Sequence, residues 1–224
     1  MSAAAHEEGF VPLHRIEALS DGVYAVAMTL LVIDLKLPEG VHIHSEDDLV
    51  AALAGLIPRA IAWIISFMVL AIFWTGHHRV FAYLRRSDGV LTALNLLQLA
   101  FVTLMPFSSA LSGEHGSRVA SQVVFSANMA MLATTALVIA RYVHRHPELG
   151  SLPMPIALYR GARQRIAGVI LISVVAVVIA ALVPWPGMGN MAFMLMAVIN
   201  PMSRRLERRA VGDGDGDGKP LASA

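Results

Sequence analysis

Arg15, Glu17 and Asp21 stand directly before Gly22–Ile33, a run without Lys, Arg, Asp or Glu, and Asp34 and Lys36 follow it. On a helix that begins near Leu13, Asp21 lies roughly 12 Å along the axis, at about 1.5 Å per residue. A carboxylate at that depth in an apolar segment must pair or face water, which makes it a candidate for handling ions or protons. The same residues also read as a structural ion pair or a deep cap, with Ser20 and Asp21 bonding local backbone. At about 100° per residue, Val26, Leu30, Ile33 and Leu37 form one narrow stripe flanked by Gly22 and Thr29, and Asp21 points roughly 140° from Val26. Either the stripe packs on lipid or a neighbouring helix, or it faces a symmetry axis. Thr29 either bonds the carbonyl of Ala25 or supports a narrow pore.

Other polar clusters give weaker chemistry. His77 and His78 are adjacent, and adjacent helical residues do not share a face. No Cys exists to complete a metal site. A pH-sensitive hinge stays open, since His titrates near neutrality. His42 and His44 with Asp47 and Asp48 read as a solvated loop, and cation capture there is the lesser alternative. Asp213, Asp215, Asp217 and Gly218 begin like an EF-hand loop, but Ala224 stands at the twelfth position, where a bidentate Glu is needed. No Ser-His-Asp elbow, P-loop or GxGxxG appears, so no enzyme is predicted, and neither is a metal or a cofactor.

These residues need elements to position them, and the composition names the solvent of those elements. Only 15% of the 224 residues are charged and 56% are hydrophobic, against about 25% charged in an average soluble domain. Mean hydropathy is +0.63. An ordinary soluble globule is excluded, and the net charge of +1 argues against a nucleic-acid partner. The segment MSAAAHEEGF has no basic n-region and does not read as a cleavable signal.

Charge-free runs give the crossings: Gly22–Ile33, extended through amphipathic flanks to about Leu13–Leu37, then Ala60–His78, Gly89–Gly113, Val119–Ala140, and a fused stretch Ile166–Ser203. The last is too long for one crossing of about 20 residues. Pro184-Trp185-Pro186-Gly187 divides it by turn chemistry. The expected fold is all-α, a polytopic membrane protein with six transmembrane helices. With both termini cytoplasmic, all 17 basic residues except Lys36, Arg59 and Arg118 fall on the inner side, as the positive-inside rule requires. The first outer loop, about Pro38–Ile57, is acidic. Three regions follow: a cytoplasmic segment 1–12, a six-helix domain 13–205, and a disordered Gly/Asp-rich cytoplasmic tail 206–224.

The segment from Arg15 to Val32, with Ser20-Asp21 and Thr29-Leu30-Leu31, resembles the signature of the transmembrane protein 175 family of potassium channels in its bacterial form. Phe73-Trp74-Thr75-Gly76-His77-His78-Arg79-Val80-Phe81 and Leu94-Asn95-Leu96-Leu97-Gln98-Leu99-Ala100-Phe101-Val102, with Pro106-Phe107, are similar to the same family. Leu19 stands where the family has Phe, and Val26 where Ile is usual. The resemblance covers about residues 10–205. It implies a homotetramer in which helix one of each chain lines the central pore, in a bacterial plasma membrane, with potassium ions and lipid as partners. Carried over by position, Val26, Thr29, Leu30 and Ile33 are pore-lining. Arg15, Ser20, Asp21, Trp74, His77 and Asn95 form a polar network that supports the pore helix. The chain has no TVGYG-like run, so potassium-preferring leak conduction through apolar constrictions, without a carbonyl filter, is what the resemblance implies. The competing expectation is a proton- or cation-coupled small-solute transporter using Asp21 and His77. A third is a non-conducting scaffold or sensor.

Overall fold

The structure, a computed structural model, describes residues 12–37, 40, 42–150, 154–183 and 193. Among these residues the elements are helices: α1 Leu13–Leu30, continued by a 3-10 turn Leu31–Asp34, α2 Glu46–Gly55, α3 Ile57–Phe81, α4 Gly89–Thr103, α5 Met105–Glu114, α6 Val119–Arg145 and α7 Ile156–Leu182. Five segments are long and apolar enough to cross a membrane: Leu13–Asp34, Ile57–Phe81, Gly89–Glu114 (α4 with α5), Val119–Arg145 and Ile156–Leu182. The expected sixth crossing lies outside the described residues except for Phe193. That side chain meets Phe125 edge-on, with centroids 5.2 Å apart.

Local chemistry explains the boundaries. Asp88 caps α4 by accepting the Leu91 N–H at 2.8 Å. The break between α4 and α5 falls at Leu104, two residues before Pro106, which has no N–H to continue the ladder. Three helices outrun the uncharged stretches that announce them. α3 continues past Arg79, α6 past Arg141, and α7 starts at Ile156, so Arg160, Arg163 and Arg165 are helical rather than loop residues. A charge marks the end of the hydrocarbon, not of the hydrogen-bonded helix. The loop between the first two crossings also holds a helix that its polarity conceals. Ser45 and Asp48 form a reciprocal capping box that starts α2, and Glu46 and Asp47 share its first turn.

The helices meet through two apolar clusters. One joins Tyr24 and Ala27 of α1, and Leu31 of the 3-10 turn, to Leu70 of α3, Leu99 of α4 and Met129 of α6. The other joins Ile16 to Phe81, Leu91 and Val143 at the opposite end of the bundle. Where α5 crosses α3, a Cβ on Gly113 would lie 3.2 Å from the Cα of Arg59. A side chain there would press on the α3 backbone, so glycine favours this close approach.

Candidate functional site

Helix α1 has two distinct faces. Ile16, Ser20, Tyr24, Ala27 and Leu31 are buried against the chain's own helices. Val26 is 56% exposed, Ile33 61% and Leu30 42%, and Thr29 is exposed beside them. The stripe read from periodicity therefore points out of the chain. Thr29 donates its hydroxyl to the carbonyl of Val26 at 2.8 Å, rather than to that of Ala25, which was one of its two alternatives.

The buried face is held by a relay across three helices. Asn95 of α4 donates from Nδ2 to the Ser20 Oγ at 3.0 Å. Ser20 in turn donates to the carbonyl of Ile16 at 2.8 Å. The Oδ1 of Asn95 lies 2.8 Å from Nε2 of His77 on α3. An amide oxygen only accepts, so Nε2 carries the proton in this arrangement. Ser20, Asn95 and His77 are all buried, and each satisfies another, which is the condition for keeping polar groups in an apolar core. The His77 ring also stacks on Phe81, with centroids 4.0 Å apart.

Of the six residues expected to form one supporting network, the structure joins these three. Asp21 and Trp74 make a separate pair: the indole Nε1 donates to Asp21 Oδ1 at 2.8 Å, and both residues are exposed. Asp21 therefore lies on the flank of α1 and not among the buried groups. The Arg15 side chain is exposed and, among the described residues, has no hydrogen bond or ion pair. His77 and His78 diverge, since His78 is exposed and stacks on Trp74. Sequence reasoning missed the buried pair next to this relay, Gln98 Nε2 donating to the Tyr24 hydroxyl at 3.0 Å. The signal was available. Tyr24 follows Ser20 by one turn and Gln98 follows Asn95 by one turn, so both pairs share the same helix faces.

At the C-terminal end of α1, Asp34, Lys36, Trp63 and Glu114 line an open cleft of about 440 Å³ with Arg59. Arg59 pairs with Glu114 at 3.3 Å and donates to the Lys36 carbonyl at 3.3 Å.

This arrangement has counterparts. Residues 15–106 match the model of the family described as endosomal/lysosomal potassium channel TMEM175, a stretch that contains every member of both hydrogen-bonded sets. The chain is 42% identical over 101 residues to a potassium channel of Streptomyces collinus, covering 45% of this chain and 48% of the relative. It is 36% identical over 127 residues to a potassium channel of Chamaesiphon minutus, covering 57% and 62%. These matches span less than two thirds of either relative. The solved structure of a lysosomal potassium-selective channel TMEM175 homologue from Chamaesiphon minutus superposes with a TM-score of 0.68 at 28% identity, over 85% of this chain and 97% of that one. The TMEM175-family likeness thus extends through the fold beyond the matched segment. The relatives are named as channels, not as enzymes.

Proposed function

We propose that this chain forms a homotetrameric potassium channel of a bacterial plasma membrane, with both termini cytoplasmic and α1 of each copy lining the central pore. One observation carries the reading. Val26, Leu30 and Ile33 are exposed on the side of α1 turned away from the face that Asn95 and His77 anchor through Ser20. An apolar stripe on a helix so firmly held from behind suits a line of constricting rings. Such rings gate by narrowing and dewetting, and they favour the cation that sheds water more cheaply. Thr29, with its proton committed to Val26, keeps lone pairs for ordered water or a passing ion. Asp34 and the acid-rich first turn of α2 raise the cation concentration at the outer mouth. The names of the relatives support potassium as the ion.

A coupled carrier would place Asp21 and His77 on one shared path. Here His77 is buried on Asn95 while Asp21 is exposed on Trp74, which supports the channel over the carrier.

The test uses the absence of Cys from the chain. Single Cys variants at 26, 30 and 33 are reconstituted in liposomes with a potassium gradient. Wild-type flux, and block of the three variants by a small thiol reagent, are expected. Unblocked flux at all three positions would overturn the pore assignment. No flux from assembled tetramers would overturn the channel itself.

A further inference from the structure

Arg59 stands where two general preferences oppose it. It is the third residue of α3, and the positive end of a helix dipole disfavours a cation there. It is also one of the three basic residues, with Lys36 and Arg118, that the charge asymmetry leaves on the less basic side. Its contacts offset these costs. Nη1 donates to the Lys36 carbonyl at 3.3 Å, and Nη2 pairs with Glu114 Oε1 at 3.3 Å. Its stem lies against α5, where a Cβ on Gly113 would stand 3.2 Å from the Arg59 Cα and 3.5 Å from its Cγ. One partly buried side chain therefore connects three segments: the chain leaving α1, the start of α3 and the end of α5.

The chain leaving α1 lacks another tie of this kind. After Leu30 the α-helix tightens into the 3-10 turn Leu31–Asp34, whose hydrogen bonds have poorer geometry. Ile33, on that turn, lies roughly 20 Å along the axis from Ser20, at about 1.5 Å per residue. The Asn95–His77 anchor is too far away to set its position. Leu31 packs inward, but among the described residues no hydrogen bond joins residues 31–34 to another helix. The bond from Arg59 to the Lys36 carbonyl is the first that follows.

We propose that Arg59 is a positioning residue that clamps the C-terminal end of α1 to α3 and α5, and so sets how firmly Ile33 is held. Its consequence for conduction rests on the channel reading. The Arg59–Glu114 pair borders the open cleft of about 440 Å³, and the Glu114 side chain is 56% exposed. Dissolved ions reach and screen such a pair, so the clamp loosens as ionic strength rises.

The test compares two single-Cys proteins, Ile33→Cys and Val26→Cys, in a chain that has no other Cys. Both are labelled with a small uncharged thiol reagent, and the rate at 33 is divided by the rate at 26. Adding Arg59→Leu is expected to raise this ratio about fivefold, equivalent to about 1 kcal/mol. Glu114→Gln, which leaves the bond to Lys36, is expected to raise it about twofold. A change that only loosens the bundle speeds both sites alike and leaves the ratio unchanged. An unchanged ratio in Arg59→Leu therefore overturns the clamp. Should Arg59→Leu fail to fold, Glu114→Gln and a salt series from about 0.05 to 1 M on the otherwise wild-type pair decide; a ratio steady in both overturns the proposal. Potassium flux through Arg59→Leu in liposomes should rise in step with the ratio, because a looser Ile33 ring constricts less. A raised ratio with unchanged flux overturns the effect on conduction and leaves the clamp. If neither single-Cys protein nor wild type carries flux, the channel reading fails, while the labelling ratio still decides the clamp.

Discussion

Asn95→Leu tests the anchor of α1 most directly. Asn95 accepts from His77 at 2.8 Å and donates to Ser20 at 3.0 Å, so one side chain links α4 to α3 and α1. Leucine preserves the bulk and removes both bonds. Ser20 keeps its bond to the Ile16 carbonyl, whereas the Nε2–H of buried His77 loses its acceptor. An unsatisfied buried donor costs about 1–3 kcal/mol. Interhelical hydrogen bonds within membranes average only about 0.6 kcal/mol and reach about 1.7. Asn95 is 1% exposed, which leaves water no access to compensate, and it makes two such bonds. The expected cost is therefore about 1–2 kcal/mol. His77→Phe removes the donor instead. In the double variant Asn95→Leu/His77→Phe no donor is stranded and an apolar pair replaces a polar one, so its cost should fall below the sum of the single costs by about 1 kcal/mol. Reversible unfolding of the four proteins in one detergent measures the cycle. Additivity within about 0.5 kcal/mol would refute the reasoning, because it would mean that the His77–Asn95 contact contributes no coupling.

Three further outcomes follow from the same geometry. Asp21→Asn keeps an acceptor for the Trp74 indole on an exposed flank and should cost less than about 1 kcal/mol in the same unfolding assay; a larger loss would make Asp21 part of the anchor. Glu114→Gln breaks the Arg59 pair, but the carboxylate is 56% exposed, so less than about 1 kcal/mol is expected, shrinking further as salt rises. Hydrogen bonds from Ser45 and from the His44 backbone N–H hold the Asp48 carboxyl below the usual carboxylate range. A carboxyl whose folded value is depressed stabilises above its unfolded value, about 3.9, and loses that contribution as pH falls through the folded one. The α2 capping box should therefore persist at neutral pH and weaken only below about pH 4, seen as faster amide exchange at Asp48; exchange unchanged across that range would refute it.

Much of this architecture was legible from the order of residues alone. Hydrocarbon excludes charge, so the uncharged runs located each described crossing, and a period of about 3.6 residues put Val26, Leu30 and Ile33 on one stripe, all three of which are exposed. The motif segments containing Ser20, His77 and Asn95 were also visible. The helix ends were not, because arginines that bound a hydrophobic run, such as Arg79 and Arg141 after one and Arg160 and Arg163 before another, continue a helix without penalty. Nor was α2, whose capping box lies in an acidic stretch.

What depended on the packed chain was the pairing of the polar groups. Periodicity gives the angle between residues on one helix, but not the angle of that helix to its neighbours. Six polar residues therefore looked like a single network. Rotation and depth settled which of them meet: Ser20, Asn95 and His77 share one buried layer. Asp21, next to Ser20 in the chain, turns about 100° away onto the exposed flank with Trp74. Arg15, more than one turn before Ser20, faces out of the chain among the described residues. Burial assigns the anchoring to the neutral groups and leaves the charged ones at the surface, because a neutral hydrogen-bonded chain costs far less to enclose in an apolar bundle than a carboxylate or a guanidinium.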